Sequence, residues 1–212
     1  LRYTHRIDGN RDIYFVSNRT DAIVFDTCSF RVSKGNPEIW DPVIGETHKL
    51  PEFLVQNGRT SVPLKFEKAQ SYFIVFDKAA RQETISSKLN FPEKIAETKI
   101  EGSWTVHFDP EWGGPDEVIF DSLSDWTSNP NENIRYYSGT AVYTKEFDLP
   151  ENLKSVRNSE VLLNLGSVKN MAHVKLNGKD LGVIWTSPWQ VNVTGVLKQK
   201  NNKLEIEVVN LW

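Results

Sequence analysis

Apolar residues return at every second position in one short run after another, and hardly anywhere at the 3.6-residue spacing of a helix. Val62, Leu64 and Phe66 alternate with Pro63, Lys65 and Glu67. Ala22, Val24, Cys28, Phe30 and Val32 share one phase. Trp104, Val106 and Phe108 repeat the pattern, as do Val161, Leu163 and Leu165, then Ala172, Val174 and Leu176, and finally Leu204, Ile206 and Val208. Residues 12–17 add a further strand, and residues 72–76 are apolar throughout, which suits a central strand covered on both faces. Period-2 alternation sends one side of a strand inward and the other to water, so the chain must build half-buried sheets. Asn57-Gly58 and Asn177-Gly178 are two-residue hairpin signals, and Pro37, Pro42, Pro51 and Pro63 punctuate the first half.

The runs fall into two groups. The first holds six or seven short strands within about 85 residues, a spacing that fits an immunoglobulin-like sandwich. Residues 81–97 then lose the β period and carry Pro92, which places a linker or crossover near residues 90–97. The second group holds six or more strands around one long Gly/Pro/Trp-rich loop at residues 109–135, the pattern of a jelly roll. The fold expected is all-β: two tandem β-sandwiches, an immunoglobulin-like one at residues 1–95 and a jelly roll at residues 96–212. Val106, Phe108, Leu163, Leu165, Val174, Leu176, Leu204, Ile206 and Val208 are expected to be buried.

Charge and residue types exclude several functions. The formal charge is −3, from 25 Lys and Arg against 28 Asp and Glu, so no broad basic surface for nucleic acid is expected. No apolar run approaches the ~20 residues of a membrane-spanning helix, so no membrane partner is expected either. Cys28 is the one cysteine, which excludes an intramolecular disulfide and a zinc site built from thiolates. His5, His48, His107 and His173 are scattered, without H-E-x-x-H spacing, and no G-x-S-x-G elbow is present. Asp109, Glu111, Asp116, Glu117, Asp121 and Asp125 crowd one loop-rich stretch. Solvated loop carboxylates, a structural calcium and glycosidic acid–base chemistry all use such oxygens. No cofactor is expected, with structural calcium kept as the alternative.

The aromatic residues point elsewhere. Seven Trp in 212 residues stand mostly beside Gly, Pro, Asp and Ser. A flat ring at a loop tip packs on the apolar face of a pyranose. Trp112, Trp185 and Trp189 are the candidate contacts for sugar or for a neighbouring domain, with Tyr136 and Asp125 as polar-edged companions. The alternative is that such rings cap the end of a sandwich core, and Trp104 and Trp126 are assigned there.

The second half also carries family motifs. Residues 137–147 (YSGTAVYTKEF) resemble a strand of the sugar-binding domain of glycoside hydrolase family 2. Residues 165–168 (LGSV), 172–179 (AHVKLNGK) with Leu181-Gly182, 191–194 (VNVT) and 202–208 (NKLEIEV) resemble its central hairpin and later strands. Residues 104–115 (WTVHFDPEWGGP), 120–126 (FDSLSDW) and 208–212 (VVNLW) are similar to bacterial alpha-L-rhamnosidase-like proteins of family 106. Residues 1–90, with Tyr14-Phe15-Val16-Ser17-Asn18, resemble the preceding sandwich less specifically.

This resemblance implies that the jelly roll is galactose-binding-like. It also implies a catalytic barrel upstream of Leu1 as partner, with the catalytic carboxylates there, so no catalytic residue is assigned to this chain. By the same analogy Trp185, Pro188 and Trp189 stand on the loop after the central hairpin. The opening residues LRYTHR and the closing EIEVVNLW read as cut from something longer. The function expected is a non-catalytic accessory part of a bacterial glycoside hydrolase acting on plant or microbial polysaccharide, periplasmic or extracellular. An autonomous carbohydrate-binding module and a structural tandem β-sandwich without ligand are the alternatives.

Overall fold

A computed structural model describes residues 1–80, 88–154 and 159–210. Residues 81–87 of the stretch that loses the β period, and Leu211 and Trp212 of the closing motif, lie outside the described residues. The chain divides into two compact units, Leu1–Lys94 and Ile95–Trp212. It is nearly all β, and every strand pairing is antiparallel.

The first unit contains β1 (Arg2–Asp8), β2 (Arg11–Ser17), β3 (Val24–Phe30), β4 (Pro37–Trp40), β5 (Thr47–Lys49), β6 (Leu54–Gln56), β7 (Arg59–Phe66) and β8 (Ser71–Asp77). They form a five-stranded sheet ordered β1-β2-β8-β4-β5 and a three-stranded sheet ordered β3-β7-β6. Tyr14, Val16, Ile39, Ile74 and Phe76 of the first sheet meet Phe30, Val62, Leu64 and Phe66 of the second in one core. The apolar run at residues 72–76 is indeed central: β8 pairs with β2 on one side and β4 on the other. Pro63 sits in the middle strand β7, where a missing N–H needs an excuse. Its carbonyl accepts from Asn90 Nδ2 rather than from β3. Its nitrogen therefore faces the β6 side, where pairing has already stopped at Leu54–Ser61. β1 was not legible as a strand, because all seven of its residues are exposed and no apolar phase marks it.

The second unit contains β9 (Trp104–Phe108), β10 (Val118–Phe120), β11 (Thr140–Phe147), β12 (Leu162–Asn164), β13 (Met171–Leu176), β14 (Lys179–Ile184), β15 (Gln190–Asn192) and β16 (Asn202–Val209). Six of them form the sheet β10-β9-β11-β16-β13-β14, and β12 pairs with β15. Asn177 and Gly178 both take positive φ, 55° and 79°, the conformation that a two-residue hairpin turn requires. Two four-residue helices, α1 (Glu132–Arg135) and α2 (Glu151–Lys154), are the only α-helices among the described residues.

Two expectations are corrected here, one on burial and one on the long loop. Val106, Phe108, Val174, Leu176, Leu204 and Ile206 are buried, but Leu163, Leu165 and Val208 are only half-buried. Leu163 lies in a three-residue strand with one partner, at the rim of the core. Val208 stands in register between Ala141 and Ala172, whose methyl groups leave part of it uncovered. The loop at residues 109–135 is also not one loop. β10 pairs with β9 inside it, and α1 is anchored by buried Ile134.

One buried asparagine organises each unit. Asn18 donates to the carbonyls of Ala22 and Glu67 and accepts from Thr20 N–H and hydroxyl. Asn202 accepts from Lys198 N–H and Asn177 Nδ2, and donates to the Lys198 and Phe147 carbonyls.

Leu176→Ala is expected to cost about 2–5 kcal/mol in urea denaturation, since it opens a cavity in a closed core, and Leu163→Ala clearly less. Tyr14→Phe is expected to leave the melting temperature unchanged or raise it. The Tyr14 hydroxyl is buried without a hydrogen-bond partner among the described residues, so its removal relieves a desolvation cost and breaks no bond.

Candidate functional site

Strand register gathers the aromatic loops at one end of the six-stranded sheet. Phe108 lies opposite Ala141, Thr140 opposite Val209, Val209 opposite Met171, and Ala172 opposite Ile184. The chain therefore leaves β9, enters β11, leaves β16, enters β13 and leaves β14 along the same edge. The loops on that edge carry Trp112, Tyr136, Trp185 and Trp189.

Tyr137 joins several of these loops. Its hydroxyl accepts the Asp109 N–H at 3.1 Å and donates to the Thr140 carbonyl at 2.9 Å. Its ring meets Phe108 edge-on at 5.0 Å and Trp126 at 5.8 Å. Gly114 passes so close that an added Cβ would lie 2.5 Å from Phe108 Cβ and 2.7 Å from the Tyr137 ring. Asn210 closes the bracket, accepting from Gly139 N–H and donating to the Tyr137 carbonyl.

On this frame Asp109 caps a 3-10 turn, Pro110–Trp112, by accepting the Glu111 N–H at 2.9 Å. Trp112 rides on the turn and is 71% exposed. Tyr136, 75% exposed, stands next to the anchoring Tyr137, with the Arg135 guanidinium 5.9 Å from its ring centre. Trp185 is exposed too, at the other flank of the sheet. Four strand spacings separate that flank from β9, about 19 Å. Trp112 and Tyr136 thus stand on the two segments that Tyr137 ties together, and Trp185 stands on the opposite flank. Trp189 packs against the core and is only half-buried, while its carbonyl accepts the Leu165 N–H. Trp126 follows the core assignment: its indole N–H donates to the Tyr143 hydroxyl and its ring meets Phe108.

Asp125 caps the turn Trp126–Ser128, accepting the Thr127 N–H at 3.0 Å and the Thr127 hydroxyl at 2.8 Å. Those two bonds, with Lys169 at 3.7 Å, hold its carboxyl below the usual range. Asp109 and Asp125 are therefore occupied with backbone capping. Among the described residues no group of three or more His, Cys, Asp or Glu is arranged to hold a metal ion.

A charged cluster on the outward face of the same sheet escaped the sequence reading. His173 Nδ1 lies 3.1 Å from Glu207 and its Nε2 2.9 Å from Asp180. Lys175 Nζ lies 2.9 Å from both Glu205 and Glu207. Glu207 stands on the polar, outward phase of its strand. Hydrogen bonds from Lys175 and His173 lower its pKa, and hydrogen bonds to Glu207 and Asp180 raise that of His173. Alternation marks all four side chains of β13 and β16 as outward, but only their register brings them together.

Residues 122–212 match the family model for the glycosyl hydrolase 2 galactose-binding domain-like group, and residues 1–54 match that for alpha-L-rhamnosidase. A solved structure, the rhamnosidase from Novosphingobium sp. PP1Y, superposes with a TM-score of 0.89 at 30% identity, covering 99% of this chain and 19% of that one. A protein of Formosa agariphila named "Putative beta-glucuronidase" is 36% identical over 199 residues, 92% of this chain and 16% of that protein. The chain is related to glycoside hydrolases. Its second unit is the galactose-binding-like kind of sandwich, the alpha-L-rhamnosidase family model matches the first 54 residues, and the likeness to the solved rhamnosidase runs through both units. This glycoside-hydrolase-related chain spans under a fifth of the length of both relatives.

Gly114→Ala is expected to displace the Trp112 turn, because the new methyl group meets a Cβ and an anchored ring. Broadened or shifted Trp112 and Tyr137 NMR signals, with a lower melting temperature, are the readout. The His173 cluster gives a signed pH effect. Its raised pKa means a stabilisation present below the ordinary value of 6.5 and lost as pH rises through the folded-state value. The lowered Glu207 and Asp180 pKa values give a contribution present at neutral pH and lost as pH falls through their folded values. His173→Gln should flatten the alkaline side of the stability profile, measured by urea denaturation across that range.

Proposed function

We propose that this chain is a non-catalytic accessory part of a larger bacterial glycoside hydrolase, rhamnosidase-like, acting on plant or microbial polysaccharide outside the cytoplasm. In this reading it supports a catalytic barrel in the same polypeptide and presents Trp112 and Tyr136, and separately Trp185, to glycan or to that barrel. The observation that carries it is coverage: nearly the whole chain matches two proteins named for glycosidase activity, yet fills less than a fifth of either. The direction of the carboxylate shifts agrees. A glycosidic general acid needs a raised pKa. Asp125, Asp180 and Glu207 all move downward, each because it accepts hydrogen bonds in its charged form. The exposed rings of Trp112 and Trp185 favour an autonomous carbohydrate-binding module as the second reading.

The test compares the purified chain with the full-length parent on aryl alpha-L-rhamnoside and aryl beta-glucuronide. Turnover is expected from the parent alone, and removal of residues 1–212 should reduce it. Trp112→Ala and Trp185→Ala in the parent should raise KM more than they lower kcat. Turnover by the isolated chain that disappears on replacing Asp109, Glu111 or Asp116 would overturn the accessory reading. Tight binding of a neutral oligosaccharide by the isolated chain would move it to the second reading.

A further inference from the structure

The first unit holds a cleft that the accessory role does not use. It opens between β1 and β3, the outer strands of the two sheets, with a volume of about 480 Å³. That volume is within the range of small-molecule sites. Arg2, Arg31 and Arg59 line it, and no carboxylate does, in a chain whose overall charge is −3. None of the three arginines forms an ion pair with a described residue.

Register sharpens the point. Phe30–Thr60 is the last pair of the β3–β7 ladder, and Arg31 and Arg59, the residues just beyond that pair on each strand, both line the cleft. Like charges gathered around one cleft repel unless something between them is negative. A second, independent observation comes from Tyr14 in the cleft wall. It is 4% exposed, and its hydroxyl has no hydrogen-bond partner among the described residues. Burial, reinforced by the Asp12 carboxylate, raises its pKa, so the group is a neutral donor. The Arg31 backbone N–H and guanidinium pull the other way without closing a bond of good geometry. Above it the rings form a wall: His5 stacks on Tyr14 at 4.1 Å, held there by Asp12 at 2.7 Å, and exposed Tyr3 tilts toward Tyr14 at 6.1 Å.

We propose that this cleft binds a pyranose carrying a carboxylate or a sulfate ester, with the anion between Arg31 and Arg59 and the sugar face against Tyr3. The anionic half rests on the register and the unpaired groups. The sugar half rests on the glycoside-hydrolase reading above.

The experiment titrates the 212-residue chain with sodium glucuronate, glucose 6-sulfate and glucose by NMR at low salt. At least one of the two acidic sugars is expected to bind about tenfold more tightly than glucose, as loss of a charge-assisted hydrogen bond implies. Which of them binds identifies the anion, and added NaCl should weaken it. Arg31→Gln and Arg59→Gln should each reduce that affinity about tenfold. Without ligand each should melt at or above the wild-type temperature, because one of three like charges around the cleft is gone. A purely structural role would lower the melting temperature instead. The proposal is overturned if glucose binds as well as the acids, if neither acid binds, or if the arginine variants bind like wild type. Concentration-dependent dimerisation abolished by Tyr3→Ala would also overturn it, assigning the two edge strands to a second copy of the chain. Activity of the parent enzyme that survives while acid binding fails would sink the cleft and leave the accessory role standing.

Discussion

The hydroxyl of Tyr137 accepts one backbone N–H and donates to one carbonyl, so a single buried oxygen ties the end of β9 to the start of β11. The rest of the loop end depends on that position. Because the ring fills the space over Gly114, the chain after Asp109 has to turn at once, and the 3-10 turn lifts Trp112 into solvent. Because Asn210 holds the Tyr137 carbonyl and the Gly139 N–H, the end of β16 is fastened to the same bracket. An aromatic ring contributes contact area while its hydroxyl satisfies backbone groups that a loop would otherwise leave unpaired.

Asn18 and Asn202 apply the same economy away from the exposed rings. Each is almost wholly buried, and each spends its amide on backbone groups of a turn. Such residues do not add hydrophobic stabilisation. They make burial of irregular backbone tolerable, since an unsatisfied buried polar group costs more than a formed hydrogen bond gains. The two units thus share a plan in which alternating strands supply the core and a few polar side chains close its ends.

Two different surfaces follow from that plan. At the loop end of the second unit, rings stand clear of the core with their charges committed elsewhere, which suits packing against an apolar sugar face or another protein domain. In the cleft of the first unit, unpaired arginines surround aromatic walls, which suits an acidic ligand. Asp109 and Asp125 are engaged in capping turns, and Glu207 in the His173–Glu207–Lys175 ladder. The charged forms of Asp125, Asp180 and Glu207 are the stabilised ones, the opposite of what a general acid requires.

Alternation by itself determined the fold class and most of the core, because a period of two is a local property that each strand carries in its own residues. It placed Val106, Phe108, Val174, Leu176, Leu204 and Ile206 correctly, and Asn177-Gly178 declared its turn. Ring chemistry and neighbouring Gly and Pro were enough to nominate Trp112, Tyr136 and Trp185. What stayed hidden was everything that depends on which strand lies beside which. β1 has no apolar phase of its own, and its place is set by pairing with β2. Leu163 and Val208 follow the alternation, yet their burial depends on the partners beside them, a short edge strand and two alanines. The meeting of Arg31 and Arg59 at one cleft, the Glu207–His173 contact and the distance between Trp112 and Trp185 are all matters of register between segments far apart in the chain. Register is decided by the summed packing of whole sheets, and no single run of residues contains it.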